Sequence, residues 1–275
     1  MGSSHGLLLT MCCLLNPGDE VILSNPCYAC YPNFVRYIGG EPTFVPVYDE
    51  ARFAFEPRAI REKIDPHTKA ILINSPSNPT GTLLSGSNLQ EISELGPYVV
   101  SDEIYHGLVY GERAHSILEY TDRAFVLNGF SKRYAMTGWR LGYIIAPQDF
   151  VRPMQKSEQN LFICPSSISQ WAGLSALTEE HPEVPQMLAT YDRRRKFMIQ
   201  GLRDLGLGVA VEPTGAFYVF ADARAFSGDC YKLAFDILDK VKVAVAPGID
   251  FGTNGQGFLR FSYANSMENI EKAFA

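Results

Sequence analysis

One lysine stands in a setting that would make it chemically reactive. In the stretch GFSKRYAMTGWRLG, residues 129–142, Lys132 directly follows Ser131 and precedes Arg140 by eight positions. A lysine forms a Schiff base with an aldehyde when its amine is partly desolvated and close to other positive charge, because both conditions favour the neutral amine near pH 7. A neighbouring arginine and hydroxyl group can hold a phosphate. The pattern therefore predicts a Schiff-base lysine beside a phosphate site.

The same stretch resembles the lysine signature of the class I/II aminotransferases, and the resemblance, closest to the aspartate aminotransferase type, runs along nearly the whole chain. It implies pyridoxal 5'-phosphate (PLP) as cofactor, held on Lys132 as a Schiff base. It implies transfer of an amino group between an α-amino acid and a 2-oxo acid. It also implies a homodimer and the PLP-dependent transferase fold type I.

Asp102 and Tyr105 lie in a second motif, VVSDEIY, residues 99–105. A carboxylate beside the pyridine nitrogen of PLP would keep that nitrogen protonated and the ring electron-withdrawing. The alternative is a helix cap after a strand, which is a common use of aspartate. The resemblance implies that Tyr105 hydrogen-bonds the cofactor's phenolic oxygen, and the alternative is a buried core tyrosine. Glu103 is expected to be structural.

Asn78 and Tyr28 belong to two further turns. In SPSNPTG, residues 75–81, two prolines fix the turn, so the Asn78 amide could donate to the phenolic oxygen and to the substrate carboxylate, or serve only the turn. In PCYACY, residues 26–31, the resemblance implies an aromatic residue that stacks on the pyridine ring. Tyr28 is the better candidate, and Tyr31 is expected to be its core neighbour.

A small-residue turn with Ser3 and Ser4 precedes an apolar helix predicted over residues 7–15. A helix N-terminus binds phosphate through its free N–H groups and its dipole. The resemblance implies that Ser131 and Arg140 complete this cradle. The opening letters MGSSH also begin a common affinity tag, but the residues that follow continue as the family does, which favours a native turn.

Arg260 lies in FLRFSY, residues 258–263, where strand alternation would place it on the face opposite Leu259 and Phe261. Its planar fork suits a carboxylate better than a lysine would. The resemblance implies that Arg260, with Asn78, binds the substrate carboxylate. The alternative is a surface arginine.

Apolar strands and amphipathic segments alternate in the first half, which favours a mostly parallel sheet in a three-layer α/β/α fold. The motifs around Asn78, Asp102 and Lys132 then fall at strand ends, where such sheets bind ligands. We expect a large PLP-binding domain over 1–165, incomplete at its N-terminus, and a smaller α+β domain over 166–275. The predicted strands are 21–24, 43–47, 70–74, 98–102, 125–129, 141–146, 209–211, 217–220, 242–246 and 258–261, and the predicted helices are 31–38, 56–64, 89–95, 149–160, 166–178, 185–205, 231–240 and 267–274.

Composition excludes several classes of partner. The net charge is −6 and no basic run is present, so neither nucleic acid nor a membrane surface is an expected partner. Six cysteines in 275 residues do not make a disulfide framework. Cys27 and Cys30 have no second pair of cysteines at the spacing of a zinc site, so no metal site is expected. Because no disulfide framework is expected either, we expect the reducing cytoplasm as the compartment.

Two other functions remain open at this point. A C–S β-lyase of the same fold would use the same residues. An aminotransferase-like effector domain of a transcription regulator would bind its effector without catalysing a reaction. The resemblance also implies a segment ahead of residue 1 that helps to close over substrate and reaches the partner subunit. The identity of the amino acid is therefore not predicted.

Overall fold

A six-stranded sheet forms the centre of the computed structural model, which describes residues 2–274. Its strands are β1 Glu20–Asn25, β2 Glu41–Pro46, β3 Thr68–Asn74, β4 Tyr98–Asp102, β5 Ala124–Gly129 and β6 Gly142–Ile145. Their order across the sheet is β2-β1-β3-β4-β5-β6. The first five strands run parallel, and β6 pairs antiparallel with β5.

Helices cover both faces of this sheet because its strands are apolar on both sides. In β3, Ala70 and Leu72 belong to one core cluster and Ile71 and Ile73 to another. The first cluster includes residues of helices α1 Ser3–Leu14, α2 Tyr31–Tyr37 and α5 Gln148–Leu161. The second includes residues of α3 Pro57–Arg61 and α4 Gly86–Ser93. The predicted three-layer α/β fold is thus confirmed.

A second, antiparallel sheet of three strands follows, in the order β7-β9-β8. Its strands are β7 Tyr218–Asp222, β8 Ala246–Pro247 and β9 Phe258–Ser262, and the helices of this part are α6 Ser167–Thr178, α7 Glu183–Asp204, α8 Cys230–Val241 and α9 Met267–Phe274. Residues 165–166 lie between α5 and α6, and the domain boundary placed there stays a prediction. No helix within residues 2–274 has both the length and the apolar character needed to cross a membrane.

Two of the predicted strands are wrong. Residues 209–211 form no strand, since the only pairing there is an isolated bridge between Gly208 and Asp222. The strand predicted over 242–246 shrinks to Ala246–Pro247, because Lys242 ends α8 in a left-handed conformation with φ 60°. Buried apolar residues such as Val209 and Val211 contribute to the core from loops, and a pattern of hydrophobicity does not distinguish the two cases.

The strand order reverses between β1 and β3, which lie side by side although β2 comes between them in sequence. Connections to the two neighbours leave in opposite directions at such a point, so a crevice opens at the carboxyl ends of the strands. The loops that follow β1, β3, β4 and β5 all meet at this edge.

Gly81 joins this edge to the loop that precedes β7 of the smaller sheet. Its carbonyl accepts hydrogen bonds from the N–H groups of Thr214 and Gly215, at 3.1 and 2.9 Å. Its φ is +69°, and a Cβ atom there would overlap the side chain of Pro213. Only glycine satisfies both the backbone conformation and the close approach.

Replacing Gly81 by alanine should therefore lower the free energy of unfolding by about 3 kcal/mol, which sums the left-handed strain and the overlap. Gly111→Ala is the matched control: its φ is +74°, but nothing lies within 4 Å of the added Cβ. We expect about 1 kcal/mol for the control, from strain alone. Urea denaturation measures both values, and equal losses would contradict tight packing against Pro213.

Candidate active site

A cavity of about 240 Å³ lies at the carboxyl ends of the parallel strands. All ten residues predicted to bind cofactor or substrate line it: Ser3, Ser4, Tyr28, Asn78, Asp102, Tyr105, Ser131, Lys132, Arg140 and Arg260. They come from six separate segments of the chain. A neighbouring cavity of about 330 Å³ shares Asn74 with it but contains neither Lys132 nor Asp102.

Lys132 follows β5 and points its amine among aromatic rings. Its Nζ lies 5.2 Å from the ring centre of Phe217 and 5.6 Å from that of Tyr105. Burial lowers the pKa of Lys132 from its ordinary value of 10.5; Asp102 opposes this shift, and Arg140 and Arg260 reinforce it. A lower pKa raises the fraction of neutral, nucleophilic amine at neutral pH.

Asp102 ends β4 and is almost fully buried, with 5% of its surface exposed. The Tyr31 hydroxyl donates to its Oδ2 at 2.7 Å, and the N–H of Ile104 donates to its Oδ1 at 3.2 Å. Burial raises the pKa of Asp102 from 3.8 to about 6, although both hydrogen bonds and Lys132 lower it. The carboxylate is still mostly ionised at pH 7, and no cation among residues 2–274 forms an ion pair with it.

The N-terminus of α1 and the Arg140 guanidinium meet at the other end of the cavity. A Cβ atom on Gly2 would come within 2.7 Å of an Arg140 Nη atom, so the missing side chain makes room for the guanidinium. Arg140 itself is left-handed, with φ 50°, and its Nη1 donates to the carbonyl of Thr137 at 2.9 Å. The Thr137 hydroxyl in turn donates to the carbonyl of Ser131 at 3.1 Å. This loop, with the free N–H groups of α1, makes a suitable anion site.

Arg260 and Asn78 are paired across the cavity. The Nη1 atom of Arg260 donates to Asn78 Oδ1 at 2.8 Å. A guanidinium has no acceptor, so the amide oxygen must face it, which leaves the Asn78 NH2 group as the donor. The buried Nε–H of Arg260 has no hydrogen-bond partner among the described residues. A bound carboxylate could satisfy this donor.

Tyr105 is buried, and its hydroxyl lies 3.0 Å from that of Tyr218. Burial raises the pKa of Tyr105 well above its ordinary value, so its hydroxyl keeps its proton and can act as a hydrogen-bond donor. The Arg260 guanidinium lies 4.3 Å from the ring centre of Tyr218. Tyr218 therefore connects Tyr105, in the loop that follows β4, with Arg260 on β9.

Sequence reasoning missed Asn74, Tyr218 and Thr137 as cavity residues. Asn74 donates from Nδ2 to the carbonyl of Asp102 at 2.8 Å and accepts the Asn78 N–H on Oδ1 at 2.8 Å. It thus locks together the loops that carry two predicted site residues. The position of Asn74 at the end of a strand is the only sequence signal for its role. No sequence signal indicates that Tyr218, which lies within a strand, would line the cavity.

Tyr28 lines the cavity and packs edge-on against Tyr31, with ring centres 5.3 Å apart. Cys27 and Cys30 beside it are free thiols. Burial raises the pKa of Cys27 to about 12, which is opposite to the shift that a redox thiol needs. Within residues 2–274 no group of three or more His, Cys, Asp or Glu side chains could hold a metal ion.

Glu103 has the structural surroundings expected of it. Its Oε1 accepts from the hydroxyls of Ser101 and Ser116 and from the N–H of Ile117, at 3.0–3.1 Å. Its Oε2 lies 3.3 Å from His106 Nδ1. Glu103 does not line the cavity, and its oxygens are already occupied.

The family model for aminotransferases of class I and II matches residues 1–275, the whole chain. The chain belongs to the class I and II aminotransferases. Its relatives depend on PLP, so this aminotransferase is a PLP-dependent transferase of amino groups.

Named relatives cover nearly all of this aminotransferase. A (5-formylfuran-3-yl)methyl phosphate transaminase of Methanocaldococcus jannaschii is 41% identical over 98% of this chain and 71% of its own length. The aspartate aminotransferase of Pyrococcus abyssi is 36% identical over 99% of this chain and 72% of its own. The solved aspartate aminotransferase of Thermus thermophilus with maleate has a TM-score of 0.95 at 37% identity, over 99% of this chain and 72% of its own.

The cavity of this aminotransferase fits PLP on chemical grounds. A phosphate suits the α1 N-terminus and Arg140, and an aldehyde suits the partly buried amine of Lys132. A protonated pyridine nitrogen suits Asp102, which is a buried carboxylate without an ion-pair partner among the described residues. The three groups lie in one cavity, as a cofactor that carries all three functions requires.

Asp102→Asn should stabilise the chain without PLP at neutral and alkaline pH. Because folding raises the pKa of Asp102 from 3.8 to about 6, its contribution to stability is fully present below pH 3.8 and is lost as the pH rises through 6. Asparagine carries no charge at any pH. The free energy of unfolding of the variant should exceed that of the unmodified chain by up to about 3 kcal/mol at pH 8, and the difference should vanish near pH 4.

Urea denaturation between pH 4 and 8 measures this difference. Asp122→Asn, at an exposed position, is the control and should change stability little at any pH. A difference in the free energy of unfolding between Asp102→Asn and the unmodified chain that does not change with pH would contradict the raised pKa of Asp102.

Proposed function

We propose that this aminotransferase carries PLP on Lys132 and moves an amino group between an α-amino acid and a 2-oxo acid. The observation that carries the proposal is the placement of Lys132 Nζ in one cavity with Asp102 and Arg140. PLP carries an aldehyde, a protonated ring nitrogen and a phosphate. These groups require, in turn, a partly buried amine, a carboxylate without an ion-pair partner, and an anion site.

Each residue has a defined task in this proposal. Bound PLP carries the amino group in transit and withdraws electrons from the substrate's Cα. Lys132 Nζ, once free, would accept the proton from the substrate's Cα and donate it to the cofactor carbon that holds the nitrogen, as a positioned acid–base group. Tyr105 Oη and the Asn78 NH2 group donate hydrogen bonds, and Asp102 stays ionised to hold a positive charge. Arg260 binds the substrate carboxylate through its unpaired donors.

The amino acid is proposed at the level of its class. Relatives are named for different substrates, among them aspartate, prephenate, and valine with pyruvate. What these four compounds share is a carboxylate next to a carbon that bears an amino or an oxo group, and Arg260 supplies the matching cation for that carboxylate. We propose an α-amino acid with a free carboxylate, with aspartate as the first to be tested.

The absorption spectrum of the purified chain with PLP tests the central step. A Schiff-base band should form, and borohydride reduction should fix the cofactor on the peptide that contains Lys132. Addition of aspartate should convert the band to that of the amine form. Lys132→Ala should lose both signals, whereas Lys156→Ala, at an exposed lysine, should keep them.

Product analysis distinguishes the other outcomes. Formation of an oxo acid that requires a second oxo acid for turnover supports transamination. Pyruvate and ammonia from cysteine without an acceptor would instead indicate a C–S β-lyase. Binding of PLP and amino acid without any product would point to an effector domain.

We also propose that the protein is a homodimer that uses α6. Ile168, Trp171, Leu174 and Leu177 recur every third residue and are all exposed, Trp171 by 72%. The helix contains no charged residue. The four side chains together cover about half of the helix circumference. An apolar surface of this kind, exposed and without charge, is typical of an interface, and a second copy of the chain is the proposed occupant.

Trp171→Glu should convert this dimer to a monomer, because a charge would be buried at the interface. Light scattering after size exclusion measures the mass. Tyr37→Glu, at an aromatic residue of α2 that is 78% exposed, is the control and should remain dimeric. A monomeric unmodified chain would contradict the proposal.

The proposed compartment is the cytoplasm. Support comes from the six cysteines, all of which are free thiols. Free thiols persist where the environment is reducing. Cell fractionation tests the location.

A further inference from the structure

Tyr31 is a buried phenol that the proposed function leaves without a task. It begins α2, and 1% of its surface is exposed. Its N–H donates to the carbonyl of Tyr28 at 3.0 Å, and its ring packs in the core against the helices of that face. The side chain is thus held on all sides, and its hydroxyl has one fixed direction.

That direction is toward Asp102. The Tyr31 hydroxyl donates to Oδ2 at 2.7 Å, whereas the backbone N–H of Ile104 donates to Oδ1 at the longer distance of 3.2 Å. These are the two hydrogen-bond donors to the carboxylate among the described residues. One fixes each oxygen, so together they set the plane of the carboxylate within the cavity.

A neutral donor is well suited to this position. It stabilises the ionised carboxylate but adds no positive charge that would compete with a cationic ligand. Burial and the neighbouring Asp102 raise the pKa of Tyr31 well above its ordinary value, so the proton stays on the tyrosine. Other titratable groups that act on Asp102, or are affected by it, are Glu103, Lys132, Tyr28 and Tyr105.

We propose that Tyr31 is a positioning residue, whose hydroxyl orients the Asp102 carboxylate toward the cavity and keeps it ionised for the ring nitrogen of PLP. This inference rests on the proposed function for its biological meaning. The link between Tyr31 and Asp102 itself does not depend on the cofactor.

The test compares Tyr31→Phe with the unmodified chain in the absence of PLP. Carbon-13 labelling of aspartate carboxyls, with Asp102→Asn to assign the signal, follows the titration of Asp102 by NMR. Its pKa should rise from about 6 by about one unit, the size expected for loss of one hydrogen bond to a charged group. Tyr110→Phe is the matched control, since its buried hydroxyl donates at 2.7 Å to the carbonyl of Ala216 instead. It should leave the Asp102 pKa unchanged.

PLP affinity provides the second readout. At pH 6 the dissociation constant of Tyr31→Phe should rise about fivefold, because the ionised fraction of Asp102 falls from about one half to about one tenth. Tyr110→Phe should bind PLP as the unmodified chain does. If Tyr31→Phe does not fold, carbon-13 labelling of tyrosine in the unmodified chain still decides, since the Tyr31 signal should titrate with the midpoint of Asp102.

Failure of this inference is distinct from failure of the proposed function. An unchanged Asp102 pKa in Tyr31→Phe, or a Tyr31 signal insensitive to Asp102, would overturn the role of Tyr31 even if PLP attaches to Lys132. If PLP does not attach to Lys132, the proposed function fails. A shifted Asp102 pKa would then still support the coupling between the two residues.

Discussion

A carboxylate buried where water cannot solvate it is the constraint on which the rest of this site depends. Asp102 would be neutral in an apolar interior, yet the proposed chemistry needs it charged. Burial raises the pKa of Asp102, and two hydrogen bonds and the nearby Lys132 counteract that rise. The same environment acts on Lys132 in the useful direction, since burial favours a neutral amine. One low-dielectric cavity thus prepares both groups in different ways.

The location of the site could be predicted from sequence because parallel strands end at a common edge. Each of the motifs around Asn78, Asp102 and Lys132 follows an apolar strand, and every strand of the larger sheet formed within three residues of its predicted bounds. The adjacent Glu103 was expected to be structural, and its surroundings agree with that expectation. Asp102 lines the cavity, whereas Glu103 does not and accepts hydrogen bonds from Ser101, Ser116 and Ile117.

What could not be predicted depends on contacts between distant segments. Tyr31 was expected to be a core neighbour, and it is buried as expected, but its hydroxyl reaches a residue 71 positions away. Asn74 and Tyr218 act through partners that no local pattern reveals. The strand predicted over 209–211 failed for the same reason, because burial of Val209 and Val211 comes from tertiary packing and not from a local pleat.

The contact between Arg260 and Asn78 has a consequence for how the molecule forms. It joins residues 182 positions apart, and the hydrogen bonds from Thr214 and Gly215 to Gly81 close a shorter loop of about 130 residues. Contacts of such long range form late, after most of the chain entropy has been lost. A nascent chain in which only the larger sheet has folded already has Lys132 and Asp102 in place. It still lacks Arg260, which lies on β9 of the smaller sheet. Completion of the cavity therefore requires that both sheets have formed.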